Sequence, residues 1–414
     1  MLKFSKCSSK TKCPAPFNST TITATGRWAI CSESNPDYSF PGGYQKISDT
    51  KSVDDWFRSD YMNNVRKAMI EGKKLKECTL CYKNEDIGLK SPRQFKIQQD
   101  DPDMLNPGVK FLDIKFGNKC NLKCKMCSPH YSSELMKEWR DLKWTSEDPF
   151  EGQRADQYNG YFFENYDWPR QQENIDKLLQ VTDKIKILKF TGGEPMINPQ
   201  FFKFMKHCID KGTADSIVLY VTTNCTKIHP KFLELASAFK ELNLRLSIDG
   251  FGPTYDYIRY PADWNMVYRN ILRYSDWYRK KVIKGKIIIH SVLMVFNVHQ
   301  ICELLKLVRP NVDGIEVREL EGPAFMHWRH APEQTIKRFF KSVIDMMQSP
   351  DKALSIVSGE LLEILKSQHM MPSKDSRKLL SNFVNQQDKL RKINISTYIP
   401  GLVQITESNF YNSI

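Results

Sequence analysis

The chain has 414 residues and no long apolar run. Its first dozen positions, Met1 to Lys12, are polar and lysine-rich, which argues against a secretory leader. The longest apolar stretches are too short to cross a bilayer, so no membrane association is expected. Internal repeats and low-complexity tracts are also missing, which sets aside repeat arrays and linker-like segments. Nor do the residues offer a clear side-chain acid–base pair. Cysteine and positive charge are what the chain has in quantity. Eleven cysteines at metal-like spacings, with no leader, point to a reducing cytoplasm rather than to disulfides. The sequons at Asn18 and Asn394 are then silent. With 41% hydrophobic and 26% charged residues, the composition is that of a globular chain long enough for two or three domains.

The most informative segment is Cys120-Asn-Leu-Lys-Cys124-Lys-Met-Cys127, directly after the strand-like run Val109 to Phe116. Three thiolates on one short loop can hold three corners of an iron–sulfur cube, and no fourth cysteine lies nearby to close the last corner. An iron without a protein ligand can bind substrate or cofactor. Two plainer readings use the same spacing: one face of a helix, or a zinc site completed by a distant ligand.

A second apolar run, Ile185 to Phe190, leads into Thr191-Gly192-Gly193-Glu194-Pro195. The glycines let backbone approach a ligand, and the carboxylate can receive an ammonium group. Four more strand-like runs follow, at Ser216–Asn224, Leu242–Gly250, Lys286–Asn297 and Gly314–Arg318. Helical stretches separate them: Pro199–Lys211, Pro230–Lys240, Trp264–Lys281 and Val298–Val308. This alternation predicts a parallel sheet wound by right-handed crossovers, with informative residues at the C-terminal strand ends. Thr222, Asn224, Ser247, Asp249 and Asn297 all fall at such ends, though each is also an ordinary turn former.

Taken in order, the cysteine loop, the Gly-Gly-Glu turn and the strand ends resemble the radical S-adenosylmethionine (radical SAM) superfamily. The resemblance implies an α/β fold, an open (β/α)6 partial TIM barrel. It implies that Cys120, Cys124 and Cys127 bind a [4Fe-4S] cluster and that Gly192, Gly193 and Glu194 meet the methionine part of SAM. Ser247 and Asn297 would contact its ribose, carboxylate or adenosine portion. The implied reaction is reductive cleavage of SAM to a 5′-deoxyadenosyl radical, which abstracts hydrogen from a substrate. Met126 stands where relatives often carry an aromatic residue. Cys225 stands where many have glycine, and its thiol could return a hydrogen atom or simply fill the core.

Before the barrel, residues 1–107 read as a small Cys-rich domain. Cys13, Cys31 and the Cys78-Thr-Leu-Cys81 knuckle, with Cys7 in reserve, resemble the twitch and SPASM auxiliary-cluster domains of the same superfamily. A second [4Fe-4S] cluster or a zinc ion would suit these four thiolates. The barrel would span residues 108–325. An aromatic-rich insertion at 131–184, with Trp139, Trp144, Tyr158, Phe163 and Trp168 among its rings, is expected to cover or recognise substrate. Residues 326–414 form a helical C-terminal extension, with Ile336, Phe339, Phe340, Val343 and Met347 as its stripe. Cys208 and Cys302 read as core.

The net charge of +13 suits an acidic partner. The aromatic-basic run Tyr268–Lys281 is either a helix packed on the barrel or a nucleic-acid surface. The expected partners are a peptide or protein substrate and a flavodoxin-like electron donor, with nucleic acid possible. Modification of a nucleotide, sugar or nucleic acid is the alternative. A non-catalytic iron–sulfur or zinc protein that binds nucleic acid is the third reading.

Overall fold

A computed structural model describes residues 11–35, 38–99, 106–144, 164–320, 322–366 and 373–406. Its frame is an eight-stranded, mostly parallel sheet in the order β2-β1-β3-β4-β5-β6-β7-β8. The strands are β1 (Ser19–Ile22), β2 (Trp28–Ala29), β3 (Phe111–Ile114), β4 (Ile187–Phe190), β5 (Val218–Thr223), β6 (Glu241–Ser247), β7 (Gly285–Leu293) and β8 (Gly314–Glu319). All six strand-like runs read from the sequence are therefore present. Helices fall between them at Pro199–Asp210, Phe232–Ser237, Trp264–Arg279 and Ile301–Val308. The last starts three residues later than its apolar pattern suggests, and the second is trimmed at both ends.

The chain divides into two compact units. The first joins residues 1–118 to 165–221 and 229–243, so the first hundred residues are not a domain apart. The reason is β1, which runs parallel to β3 with Ser19 opposite Phe111 and Ile22 opposite Ile114. Thr20 at its centre accepts from the Trp56 indole at 2.9 Å, and Trp28 and Trp56 stack at 6.0 Å. Parallel pairing continues through β3–β4 and β4–β5. Leu112, Ile114, Leu188, Phe190, Leu219 and Val221 are fully buried, forming an apolar layer with Phe201 and Phe204 of the Pro199–Asp210 helix. Phe190 meets Phe201 at 4.9 Å and Phe204 at 5.7 Å. Burying each such ring contributes about 1.5–3 kcal/mol.

The second unit holds residues 119–164, 222–228 and 244–414. Within it β7 and β8 pair in parallel. The C-terminal region is helical as expected, at Glu333–Met347, Lys352–Lys366 and Lys374–Arg391. Its stripe is rotated from the one read off the sequence: Phe339, Val343 and Met346 are buried, whereas Phe340 and Met347 are exposed. The aromatic-basic helix Trp264–Arg279 buries Val267, Ile271 and Tyr274 and leaves Arg269 and Arg273 exposed, the amphipathic arrangement of a helix packed on a core.

Three tryptophans of the 131–184 insertion are buried rather than available to a ligand. Trp139 and Trp144 meet edge to face at 5.4 Å, and Trp144 donates to Gln386 at 2.7 Å. Trp168 fills the space beside Gly26 and donates to the Ala24 carbonyl at 3.1 Å. Tyr158, Tyr161, Phe162 and Phe163 lie outside the described residues. No described helix is long and apolar enough to cross a membrane.

Candidate radical SAM site and four-cysteine centre

In the second unit, the cysteine loop is held open by backbone pairing. Lys123 and Lys125 donate their amides to the carbonyls of Tyr260 and Ile258, at 2.7 and 2.8 Å. The Ser132 hydroxyl donates to the Leu122 carbonyl at 2.6 Å and caps the helix Ser133–Asp141 by accepting from Leu135. The loop is therefore not a helical face, which removes one of the plainer readings of the spacing. A buried network fixes its lysines. Lys125 pairs with Asp388 at 3.0 Å and lies over the Tyr257 ring at 4.1 Å. Burial pulls its ammonium down to about 7, with Arg391 adding to the fall and Asp388 opposing it. Arg391 donates to both the Lys123 carbonyl and Glu138, at 2.8 and 2.7 Å.

Two of the three sulfurs have a nitrogen donor. Asn224 Nδ2 lies 3.9 Å from Cys120 Sγ, and Arg259 Nη1 lies 3.8 Å from Cys124 Sγ. The Arg259 guanidinium is itself held by Asp249, with Nε at 2.7 Å and Nη2 at 2.6 Å from Oδ2. Burial pulls Arg259 down, but Asp249 and Cys124 outweigh it and hold the guanidinium above its ordinary range. Burial also raises Cys124, with Arg259 opposing, and pushes Cys127 up to about 12 with Cys124 adding to the rise. Sulfurs that resist ionisation alone, yet face N–H donors, suit a group whose binding deprotonates them. Arg259 was not singled out in the sequence; only its place ten residues past Asp249 could have drawn notice.

The other expected residues of this unit differ among themselves. Ser247 ends β6 half-buried, and its hydroxyl makes no hydrogen bond among the described residues. Asn297 is fully buried and spent on backbone: it accepts from Met294 at 2.8 Å and donates to Asp249 and Val292 carbonyls at 2.9 and 2.7 Å. That is the work of a turn former. Cys225 is also fully buried, in the left-handed region at φ 62°, with its thiol 3.9 Å from the Val267 carbonyl. Its surroundings are those of a core residue, not of a thiol facing a substrate.

In the first unit, Gly192 and Gly193 follow β4 with φ of 71° and 55°. A Cβ on Gly192 would lie 2.7 Å from Lys115 Cβ, so the close approach needs glycine there. Glu194 is buried and accepts from the Met196 amide at 3.0 Å. Because β3 and β4 are parallel and in register, this turn and the residues leading to Cys120 leave the sheet at the same end. A buried carboxylate beside two side-chain-free residues suits an ammonium group, as the methionine end of SAM requires.

The first unit also brings Cys13, Cys31, Cys78 and Cys81 to one cavity, whose walls include Met69, Arg93 and Lys96. Burial pushes Cys13 up to about 11, with Cys31 adding to the rise while Lys96 opposes it. Burial likewise takes Cys81 to about 12. For Lys96 burial acts downward, but Cys31 and Cys13 outweigh it and hold the ammonium above its usual range. Cys7 lies outside the described residues. Cys208 and Cys302 are buried, as core residues are. Among the described residues no group of three or more His, Cys, Asp or Glu is arranged to hold a single metal ion.

Residues 114–308 match the Radical SAM superfamily. The match takes in the cysteine loop, the Gly192–Glu194 turn and the strands β4 to β7, so over these residues the chain is similar to radical SAM domains. An uncharacterized protein of Methanocaldococcus jannaschii is 31% identical over 146 residues, 34% of this chain and 40% of its own length. This chain thus spans less than half of that relative. Among solved structures, SuiB of Streptococcus suis bound to S-adenosylmethionine is 17% identical, over 58% of this chain and 48% of that one, with a TM-score of 0.38. The structure of anSMEcpe with bound AdoMet is 16% identical over 58% of each chain, with a TM-score of 0.36. SuiB bound to the precursor peptide SuiA is 15% identical, over 81% of this chain and 52% of that one, with a TM-score of 0.35.

Proposed function

We propose that this protein is a radical SAM enzyme that modifies a peptide or protein side chain. The observation that carries the reading is the three-cysteine loop after β3, inside a superfamily match that also covers Gly192 to Glu194. Cys120, Cys124 and Cys127 would hold a [4Fe-4S] cluster whose fourth iron is left to SAM. When bound, cluster and SAM supply a 5′-deoxyadenosyl radical for hydrogen abstraction. The chain's own residues bind and orient. Glu194 receives the SAM ammonium, Ser247 offers a hydroxyl to its polar portion, and Asn297 holds the end of β7 against Asp249 so that this wall keeps its shape. Arg259 neutralises charge at Cys124. Cys13, Cys31, Cys78 and Cys81 would hold a second [4Fe-4S] cluster, in the manner of a twitch or SPASM centre. The peptide class rests on that resemblance, and a cytoplasmic, flavodoxin-like donor would supply electrons.

Anaerobic reconstitution tests this. About eight irons per chain and reductive release of 5′-deoxyadenosine are expected. Cys124→Ala should abolish that release and lose one cluster's absorption. Retention of both by the variant would overturn the assignment.

A further inference from the structure

Parallel strands are ordinarily apolar on both faces, because helices cover each. The sheet of the first unit departs from this. Leu112, Ile114, Leu188, Phe190, Leu219 and Val221 occupy one face. On the other, a single row across four strands reads Thr21, Asp113, Lys189 and Tyr220, each directly opposite the next. Lys115 shares the face, two residues on from Asp113, and its stem lies across Gly192. Lys189 Nζ is 3.0 Å from Asp113 Oδ2 and 3.4 Å from Ser32 Oγ, and Thr191 donates to Asp113 Oδ1 at 3.3 Å. The row thus reaches from the residue before Gly192 to the residue after Cys31.

A buried ion pair rarely stabilises a fold better than apolar residues of the same size, so its retention on such a wall calls for another role. The carboxylate is within the field of lysines on its own face, Lys189 and Lys115. Burial pushes Asp113 up, but Lys189 and Lys115 outweigh it and hold the carboxyl below its ordinary range. Lys189 keeps 17% of its side chain exposed, and its contacts with Asp113 and Ser32 leave a third N–H.

We propose that Lys189, held by Asp113 and backed by Lys115, forms an oxyanion-binding floor for the substrate between the Gly192–Glu194 turn and the four-cysteine centre. The ligand group is a carboxylate or a phosphate. Calling it substrate rests on the radical SAM reading; the binding itself does not.

Two probes decide it on the reconstituted protein: inorganic phosphate and acetate, each titrated at constant ionic strength while the melting temperature is followed. A saturable rise with either probe is expected. Phosphate alone would point to a nucleotide-like substrate and acetate alone to an acidic peptide. Lys189→Met should lose the rise, whereas Lys189→Arg should keep it. Asp113→Asn should enlarge it several-fold by releasing Lys189 from its carboxylate, an outcome that a purely structural ion pair does not give. No rise in the native chain, or an equal rise in Lys189→Met, overturns the proposal. If Lys189→Met fails to fold, an Asp113→Asn rise no larger than native does so. Iron content and SAM cleavage on the same samples report separately on the radical SAM reading.

Discussion

As proposed, the two sets of cysteines would solve opposite problems. The trio of the second unit comes from one loop of eight residues, and two of its sulfurs face nitrogen donors that are themselves anchored, Asn224 to Asn121 and Arg259 to Asp249. The quartet of the first unit is assembled from three places in the chain, around a cavity with Lys96 in its wall. Three ligands leave a coordination position for chemistry; four close the shell and leave only electron transfer or structural support. Under the proposed reading, ligand count and the source of neutralising charge separate the two centres.

The largest effect should come from removing the proposed four-cysteine centre outright. Cys78→Ala combined with Cys81→Ala is expected to lower iron from about eight to about four per chain. Chemically reduced protein should still cleave SAM. Loss of all iron would mean that the two centres are not independent, and the comparison would break.

Next is the charge behind the trio. Arg259→Met strands the buried Asp249 carboxylate and should cost about 3–5 kcal/mol in denaturant unfolding. Adding Asp249→Asn should recover most of that, while Cys124 remains without its guanidinium. A single variant as stable as the native chain would remove Arg259 from the account.

The smallest expected effect sharpens the contrast. Lys96→Met should lower the midpoint potential of the N-terminal centre alone, shifting its oxidised-to-reduced ratio about tenfold, about 59 mV for a one-electron couple. A matching shift at the trio, read in the same spectroscopic titration, would show that Lys96 does not belong to one centre.

Much of this was legible in residue order. Six strand-like runs became six strands because each carries apolar residues at alternate positions that the core buries, and the cysteine spacing marked its loop without help from the fold. β1 was missed because Ser19-Thr20-Thr21-Ile22 is short and hydroxylated; its pairing with β3 and the Trp56 indole make it a strand. Asn297 and Ser247 looked alike as polar strand ends. Only three-dimensional contacts show one amide spent on backbone and one hydroxyl left over. Phe340 and Met347 were misplaced because a helical stripe can be drawn one position off when several neighbours are apolar.

The hydrogen bonding of β1 to β3 has a practical bearing on how the segment from β3 onward can be produced in isolation. A shortened product starting near residue 108 would strip β3 of its neighbour and bare a row of amides and carbonyls flanked by Leu112 and Ile114. Such a margin invites other copies to add on, and the trimmed piece should precipitate rather than serve as a minimal catalyst.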